Sequence, residues 1–124
     1  MKTLWINAGE ISGDLQGGAL LAALRDTELD LRVVGMGGDN LARAGQENIL
    51  RVEELSVMGI VEVLAALPRA FRLLGRIRRE MERIRPDAVL LIDAPEFNFR
   101  VAKIAHRLGI PVYYFIPPKV WAWR

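Results

Sequence analysis

Short apolar runs alternate with amphipathic stretches along this chain, and the turns between them are rich in glycine. Thr3 to Ala8 (T-L-W-I-N-A) is a β-prone run closed by Gly9, which predicts a first strand. Leu15, Ala19, Ala22 and Ala23 then recur at helical spacing, predicting a helix from near Gly13 with Ser12 as its N-cap. Leu31 to Val34 predicts a second strand, stopped by Gly35-Met36-Gly37-Gly38, and a short helix over Asp39 to Ala44 ends at Gly45. The run V-M-G-I-V-E-V-L-A-A-L carries Glu62 as its one charge, and its length and ending favour a helix after Gly59. Pro68 suits the first turn of a new helix reaching Arg85, with Pro86 forcing a stop. The apolar stripe of that helix is Phe71, Leu74, Ile77, Met81 and Ile84. Asp87 to Ile92 predicts a third strand, Phe97 to Leu108 a helix closed by Gly109, and Val112 to Ile116 a fourth strand. Strands alternating with helices predict an α/β fold: a Rossmann-like parallel sheet with helices on both faces and right-handed crossovers.

Composition narrows the class. The 124 residues fit one domain, and 52% hydrophobic with 26% charged residues is a folded composition, not a disordered one. Without cysteine there is no disulfide framework and no thiolate metal site. His106 is the single histidine and sits inside a helical stretch, where a solvated or partly buried histidine is expected, so the metal-ligand set is poor. Met36, Met58 and Met81 are expected as core fillers. The N-terminus lacks signal-peptide features, and no run approaches the roughly 18 apolar residues of a spanning helix. The simplest location is cytosolic, with peripheral membrane contact still open. The sequence pI of about 9.4 reflects arginines crowded after Pro68: Arg69, Arg72, Arg76, Arg78, Arg79, Arg83 and Arg85. A solvated face partly neutralised by Glu80 and Glu82 explains them. Attraction to an anionic surface is the functional alternative, and the neighbouring apolar run Val57 to Leu67 tilts that alternative toward lipid. Aromatics do not interleave with the basic residues as in single-strand binders, so no nucleic acid partner is expected.

The candidate chemistry gathers where strands end. Asp93 follows the buried-strand run Ala88 to Ile92, and Pro95 forbids that strand from continuing. Open α/β sheets bind ligands beyond the carboxyl ends of their strands, so Asp93 is placed to be a general base or a hydroxyl-binding carboxylate. On residue type alone, capping the helix that starts near Glu96, with Asn98 assisting, is the stronger reading of Asp93. The turn from Gly9 to Gly18 offers glycines and a helix N-terminus, but neither the dinucleotide fingerprint nor the phosphate-loop ending. Glu10 and Asp14 would repel a phosphate there, and a sugar hydroxyl is the better match; an ordinary glycine-rich turn stays the alternative. Gly35 to Gly38 repeats the strand-turn pattern and should open on the same rim.

Five segments carry more than their local physics: G-E-I-S-G-D at 9–14, G-M-G-G at 35–38, L-S-V-M-G-I-V-E-V-L at 55–64, I-D-A-P-E-F-N at 92–98 and V-W-A-W-R at 120–124. In that order they resemble the N-terminal part of the lipid-A-disaccharide synthase family, and the resemblance covers essentially the whole chain. It implies a two-domain glycosyltransferase-B fold whose N-terminal half receives the acceptor and whose C-terminal half, absent from these residues, holds the UDP-sugar. It also implies transfer of 2,3-diacylglucosamine from UDP-2,3-diacylglucosamine to 2,3-diacylglucosamine-1-phosphate (lipid X), with inversion, a β-1,6 linkage and no metal or other cofactor. On matching positions, Asp93 would be the catalytic base. Glu10, Ser12, Gly13, Asp14 and Asn98 would line the acceptor side. Met58, Ile60, Val61, Val63 and Leu64 would face acyl chains or membrane, placing the enzyme on the inner face of the bacterial cytoplasmic membrane.

The chain departs from the family at Ile116-Pro117-Pro118-Lys119, where serine is expected around one proline. Without the donor half, these 124 residues are expected to be inactive alone, and the end at Arg124 looks cut through a structured element. Association of copies through an exposed cut edge is a further partner class. Two other readings stand beside the enzyme: a stand-alone, non-catalytic Rossmann-like module that binds a ligand or a membrane, and a related UDP-sugar epimerase.

Overall fold

The structure is a computed structural model that describes residues 1–27, 30–54, 60–93 and 95–115. Met58, and the departure at residues 116–119, lie outside the described residues. The elements run β1 (Lys2–Ala8), α1 (Ile11–Arg25), β2 (Leu31–Gly37), α2 (Asp39–Arg43), β3 (Glu47–Arg51), a 3-10 turn (Val52–Glu54), α3 (Ile60–Ile84), β4 (Ala88–Ile92), α4 (Pro95–Arg107) and β5 (Val112–Phe115). All strand pairs are parallel, and the sheet order is β3-β2-β1-β4-β5. The expected α/β sheet is therefore present, with its switch of direction between β1 and β4.

Period-two alternation sorts the core into two layers. Ile6, Ala8, Val33 and Ile92 face α1 and α2, meeting Leu21 and Leu41. Trp5, Val34, Met36, Val89 and Leu91 face α3 and α4, meeting Leu73, Ile77, Met81, Val101 and Ala105. Strands buried on both faces are the normal state of a parallel sheet. Met36 and Met81 are core fillers as expected, and His106 is exposed in the last turn of α4.

Five expectations are corrected. Helix α1 begins at Ile11 with Glu10 at its N-cap position, so Ser12 lies in the first turn instead of capping it. Strand β2 runs on through Gly35, Met36 and Gly37 before it stops. Strand β3, a fifth strand, was not signalled because E-N-I-L-R is short and only Leu50 in it is fully buried. Pro68 sits inside α3, not at the start of a new helix; its ring removes one intrahelical bond, and the chain on both sides keeps helical geometry. Phe71 is 59% exposed, and Leu73 takes its place on the buried stripe with Ile77 and Met81, because the helix is rotated slightly from the predicted face.

Two features lock the β1–β2 half. Gly35 lies at φ +143, and a Cβ there would stand 2.1 Å from the Ile6 carbonyl oxygen of the neighbouring strand. Asp14 is buried on α1 with its carboxylate aimed at the start of α2. It accepts hydrogen bonds from the N–H groups of Gly38 (2.6 Å), Asn40 (3.0 Å) and Leu41 (3.0 Å), and from Asn40 Nδ2 (3.0 Å). It is thus the N-terminal cap of α2, supplied from another helix. Burial acts to raise its pKa, but the bonds from Leu41, Asn40 and Gly38 outweigh it and hold the group below its ordinary value.

A depressed folded-state pKa means the Asp14 contribution is complete above the unfolded Asp value of about 3.9 and is lost as pH falls through the folded value. Asp14→Asn places an amide among donors, and is expected to cost about 1–3 kcal/mol at neutral pH. The gap from wild type should narrow below about pH 4, as read by urea titrations across pH. Gly35→Ala is expected to cost about 3 kcal/mol or more in thermal denaturation, because strain and backbone overlap add.

Candidate functional site

Strands β1 and β4 end level: Ala8 pairs with Ile92, so Gly9-Glu10 and Asp93 leave the sheet side by side at the switch point. This is where an open parallel sheet forms a crevice at its carboxyl edge. Helix α1 rises directly over that edge. A Cβ on Gly13 would stand 3.1 Å from the Ile92 carbonyl oxygen and 3.6 Å from the Asp93 Cβ, so the glycine is what lets the first turn of α1 reach β4.

The consequence is a compact polar cluster. The Ser12 hydroxyl lies 3.4 Å from Glu10 Oε2 and 3.5 Å from Asp93 Oδ2. One hydroxyl proton cannot serve both, and both distances are long, so the three groups are neighbours with capacity left for a ligand. The first intrahelical bond of α1 runs from Asp14 N–H to the Glu10 carbonyl. The N–H groups of Ile11, Ser12 and Gly13 therefore have no partner within the helix, and they lie beside this cluster. Glu10 and Ser12 are exposed and Asp93 is half-buried, as groups that meet a ligand must be.

Asp93 is held in an unusual conformation. Its φ is +55, left-handed backbone in a residue that is not glycine. Among the described residues no N–H of α4 bonds its carboxylate, so helix capping is not the role its geometry shows. Its main-chain carbonyl accepts bonds from Asn98 Nδ2 and from the Tyr114 hydroxyl, each at 2.8 Å.

Asn98 is fully buried. Its Nδ2 also approaches the carbonyl oxygens of Ile92 (3.1 Å) and Asn7 (3.2 Å), while its Oδ1 accepts from Asn7 Nδ2 at 2.9 Å. Asn7, also fully buried, accepts from Trp5 Nε1 at 3.0 Å. This network ties the ends of β1 and β4 to α4 from beneath. The site residues expected from the sequence therefore separate. Glu10, Ser12 and Asp93 meet at the surface, Gly13 and Asn98 support them from below, and the Asp14 carboxylate is turned to α2. Ile60, Val61, Val63 and Leu64 lie in the first turns of α3.

Sequence reading missed Asn7 and Tyr114. A polar residue inside the apolar run T-L-W-I-N-A was the one signal for Asn7. Nothing local marked Tyr114, which is placed by the pairing of Leu91 with Tyr114 between β4 and β5. Its phenol pKa is raised, by burial first and then by the negative charges of Asp93 and Glu10.

The profile of the family described as Lipid-A-disaccharide synthetase matches residues 4–124. A lipid-A-disaccharide synthase of Koribacter versatilis is 44% identical over 125 residues, covering 100% of this chain and 33% of that protein. One of Myxococcus xanthus is 45% identical over 117 residues, covering 94% of this chain and 30% of its own length. Among solved structures, the glycotransferase of kitacinnamycin superposes with a TM-score of 0.66 at 20% identity, over 96% of this chain and 31% of its own. That likeness is one of fold alone, a Rossmann-like α/β domain. The chain spans about a third of the length of the curated relatives it matches. It belongs to the lipid-A-disaccharide synthetase family.

Proposed function

We propose that this chain forms the acceptor-side half of an inverting glycosyltransferase that makes the lipid A disaccharide, with Asp93 as the general base. The carrying observation is the placement of Asp93 at the switch point, half-buried, strained and adjacent to Ser12, Glu10 and a helix N-terminus. A sugar hydroxyl is a weak nucleophile and gains from a positioned carboxylate. In the proposed step the 6-hydroxyl oxygen of lipid X attacks the anomeric carbon of UDP-2,3-diacylglucosamine. The bond from that carbon to the UDP oxygen breaks with inversion, and the hydroxyl proton passes to Asp93. UDP leaves with the bond pair. Glu10, Ser12 and the first-turn N–H groups of α1 orient the acceptor hydroxyls, and Gly13 keeps that turn within reach. Asp14 and Asn98 serve by shaping the turns around it. In this reading the UDP-sugar is held by a second domain, and these 124 residues assayed by themselves are expected not to turn over.

The outer face of α3 is proposed to meet the membrane that supplies both substrates. Arg69, Arg72, Arg78 and Arg79 are exposed, and an open groove of about 560 Å³ is lined by Phe71 with Arg69, Arg72 and Arg79, and by Arg76 paired with Glu54. No helix among the described residues is long and apolar enough to cross a bilayer, so contact would be peripheral. Met58, Ile60, Val61, Val63 and Leu64 would supply the apolar flank toward acyl chains.

In a full-length family enzyme carrying these residues, Asp93→Asn is expected to lower kcat by about 10²–10⁴-fold. Thermal stability should stay within about 0.5 kcal/mol, since Asn tolerates the left-handed region. Turnover at the wild-type rate would refute the base assignment. Separately, this chain should co-sediment with vesicles rich in anionic phospholipid and not with zwitterionic ones. Binding should weaken with added salt and with the triple variant Arg69→Glu, Arg72→Glu, Arg79→Glu; equal binding to both vesicle types excludes the electrostatic contact.

A further inference from the structure

We infer that Tyr114 is a positioning residue: its hydroxyl, together with the Asn98 carboxamide, holds the Asp93 main chain in the left-handed turn that presents the carboxylate beside Ser12 and Glu10. The inference rests on the reading of Asp93 as the base and adds the element that keeps it in place.

A left-handed non-glycine residue costs about 1–3 kcal/mol and persists only where its surroundings over-determine it. At Asp93 the restraint falls on one atom, the main-chain carbonyl oxygen, which has two lone pairs and two donors. The donors are unequal in commitment. The Asn98 amide has two protons and three carbonyl acceptors at 2.8, 3.1 and 3.2 Å, so its hold on Asp93 is shared with Ile92 and Asn7. The Tyr114 hydroxyl has one proton, and it goes to Asp93 at 2.8 Å.

The two donors also come from different elements. Asn98 projects from α4, while Tyr114 stands on β5 in register with Leu91 of β4, so the carbonyl is fixed from helix and sheet at once. Tyr114 is 39% exposed, so its ring is not a large part of the core, and removing its oxygen leaves little buried polar surface unpaired. Burial and the carboxylates of Asp93 and Glu10 disfavour the phenolate, so the phenol remains a donor throughout the ordinary working range of pH.

Tyr114→Phe keeps the ring and deletes the donor. In the full-length enzyme, kcat should fall between about ten- and a hundredfold with KM unchanged, the signature of a displaced reacting group. Melting temperature should move little. In the isotope-labelled 124-residue chain, the Asp93 Cα and Cβ chemical shifts should leave their left-handed values. Asp93→Asn is assayed in parallel. If Tyr114→Phe turns over at the wild-type kcat, or if the Asp93 shifts are unaltered by Tyr114→Phe, the positioning role is overturned; an inactive Asp93→Asn alongside leaves the base assignment standing. If Asp93→Asn is fully active, the base assignment itself is what fails.

Discussion

The steric constraint beneath the site is the bare face of α1. Cβ atoms at Gly13, Gly17 and Gly18 would stand 3.1 Å from the Ile92 carbonyl oxygen, 2.9 Å from the Ile92 Cδ1 and 2.8 Å from the Asn40 carbonyl oxygen. The helix can therefore lie against the sheet and against α2 at backbone distance. That approach brings Asp14 within reach of the first N–H groups of α2, and Ser12 within reach of Asp93. A side chain along this face would lift the helix and separate both pairs together. Helix propensity argues against three glycines in one α-helix, so their presence reflects tertiary approach and not local preference.

Two carboxylates in the G-E-I-S-G-D and I-D-A-P-E-F-N segments face opposite demands, and their surroundings divide the tasks. Asp14 is buried and its oxygens receive four hydrogen bonds, so it is an anion spent on structure. Asp93 keeps its oxygens near one weakly held hydroxyl, while its backbone absorbs the strain. The polarity beneath them is of another kind. Asn7 and Asn98 are neutral, fully buried and bonded to each other and to main chain, which fixes the strand ends without burying charge.

Much of the fold was legible because buried parallel strands are short apolar runs bounded by glycine and proline, as at Thr3–Ala8 and Ala88–Ile92. Strand β3 was not, since an edge strand of five residues needs little burial. The exact face of α3 was off by part of a turn, because Leu73 and Leu74 fit either stripe and only packing against Val89 and Leu91 chooses between them. At the site, the position of Asp93 followed from the strand end, and its company with Glu10 and Ser12 followed from parallel topology. The roles of Asp14, Asn98 and Tyr114 were not legible. Asp14 and Tyr114 meet partners 21 or more positions away, and Asn98 joins near carbonyls to Asn7 across 91 positions; residue type alone cannot say whether a carboxylate, an amide or a phenol will meet ligand or backbone.

The central position of β1 has a consequence for the order in which the molecule takes shape. Its pairing with β2 and the Asp14 cap on α2 close loops of fewer than thirty residues, whereas the Asn7–Asn98 bond spans 91 positions. Loop-closure entropy favours the nearer partners first. The unit β1-α1-β2-α2-β3 can thus assemble as an early nucleus, while the groove edge waits for β4 and α4 to dock. During that interval the flank of β1 that will receive β4 is an open row of amides and carbonyls. The seam that becomes the candidate crevice is therefore the same seam through which a partly folded chain is most exposed to pairing with a wrong strand.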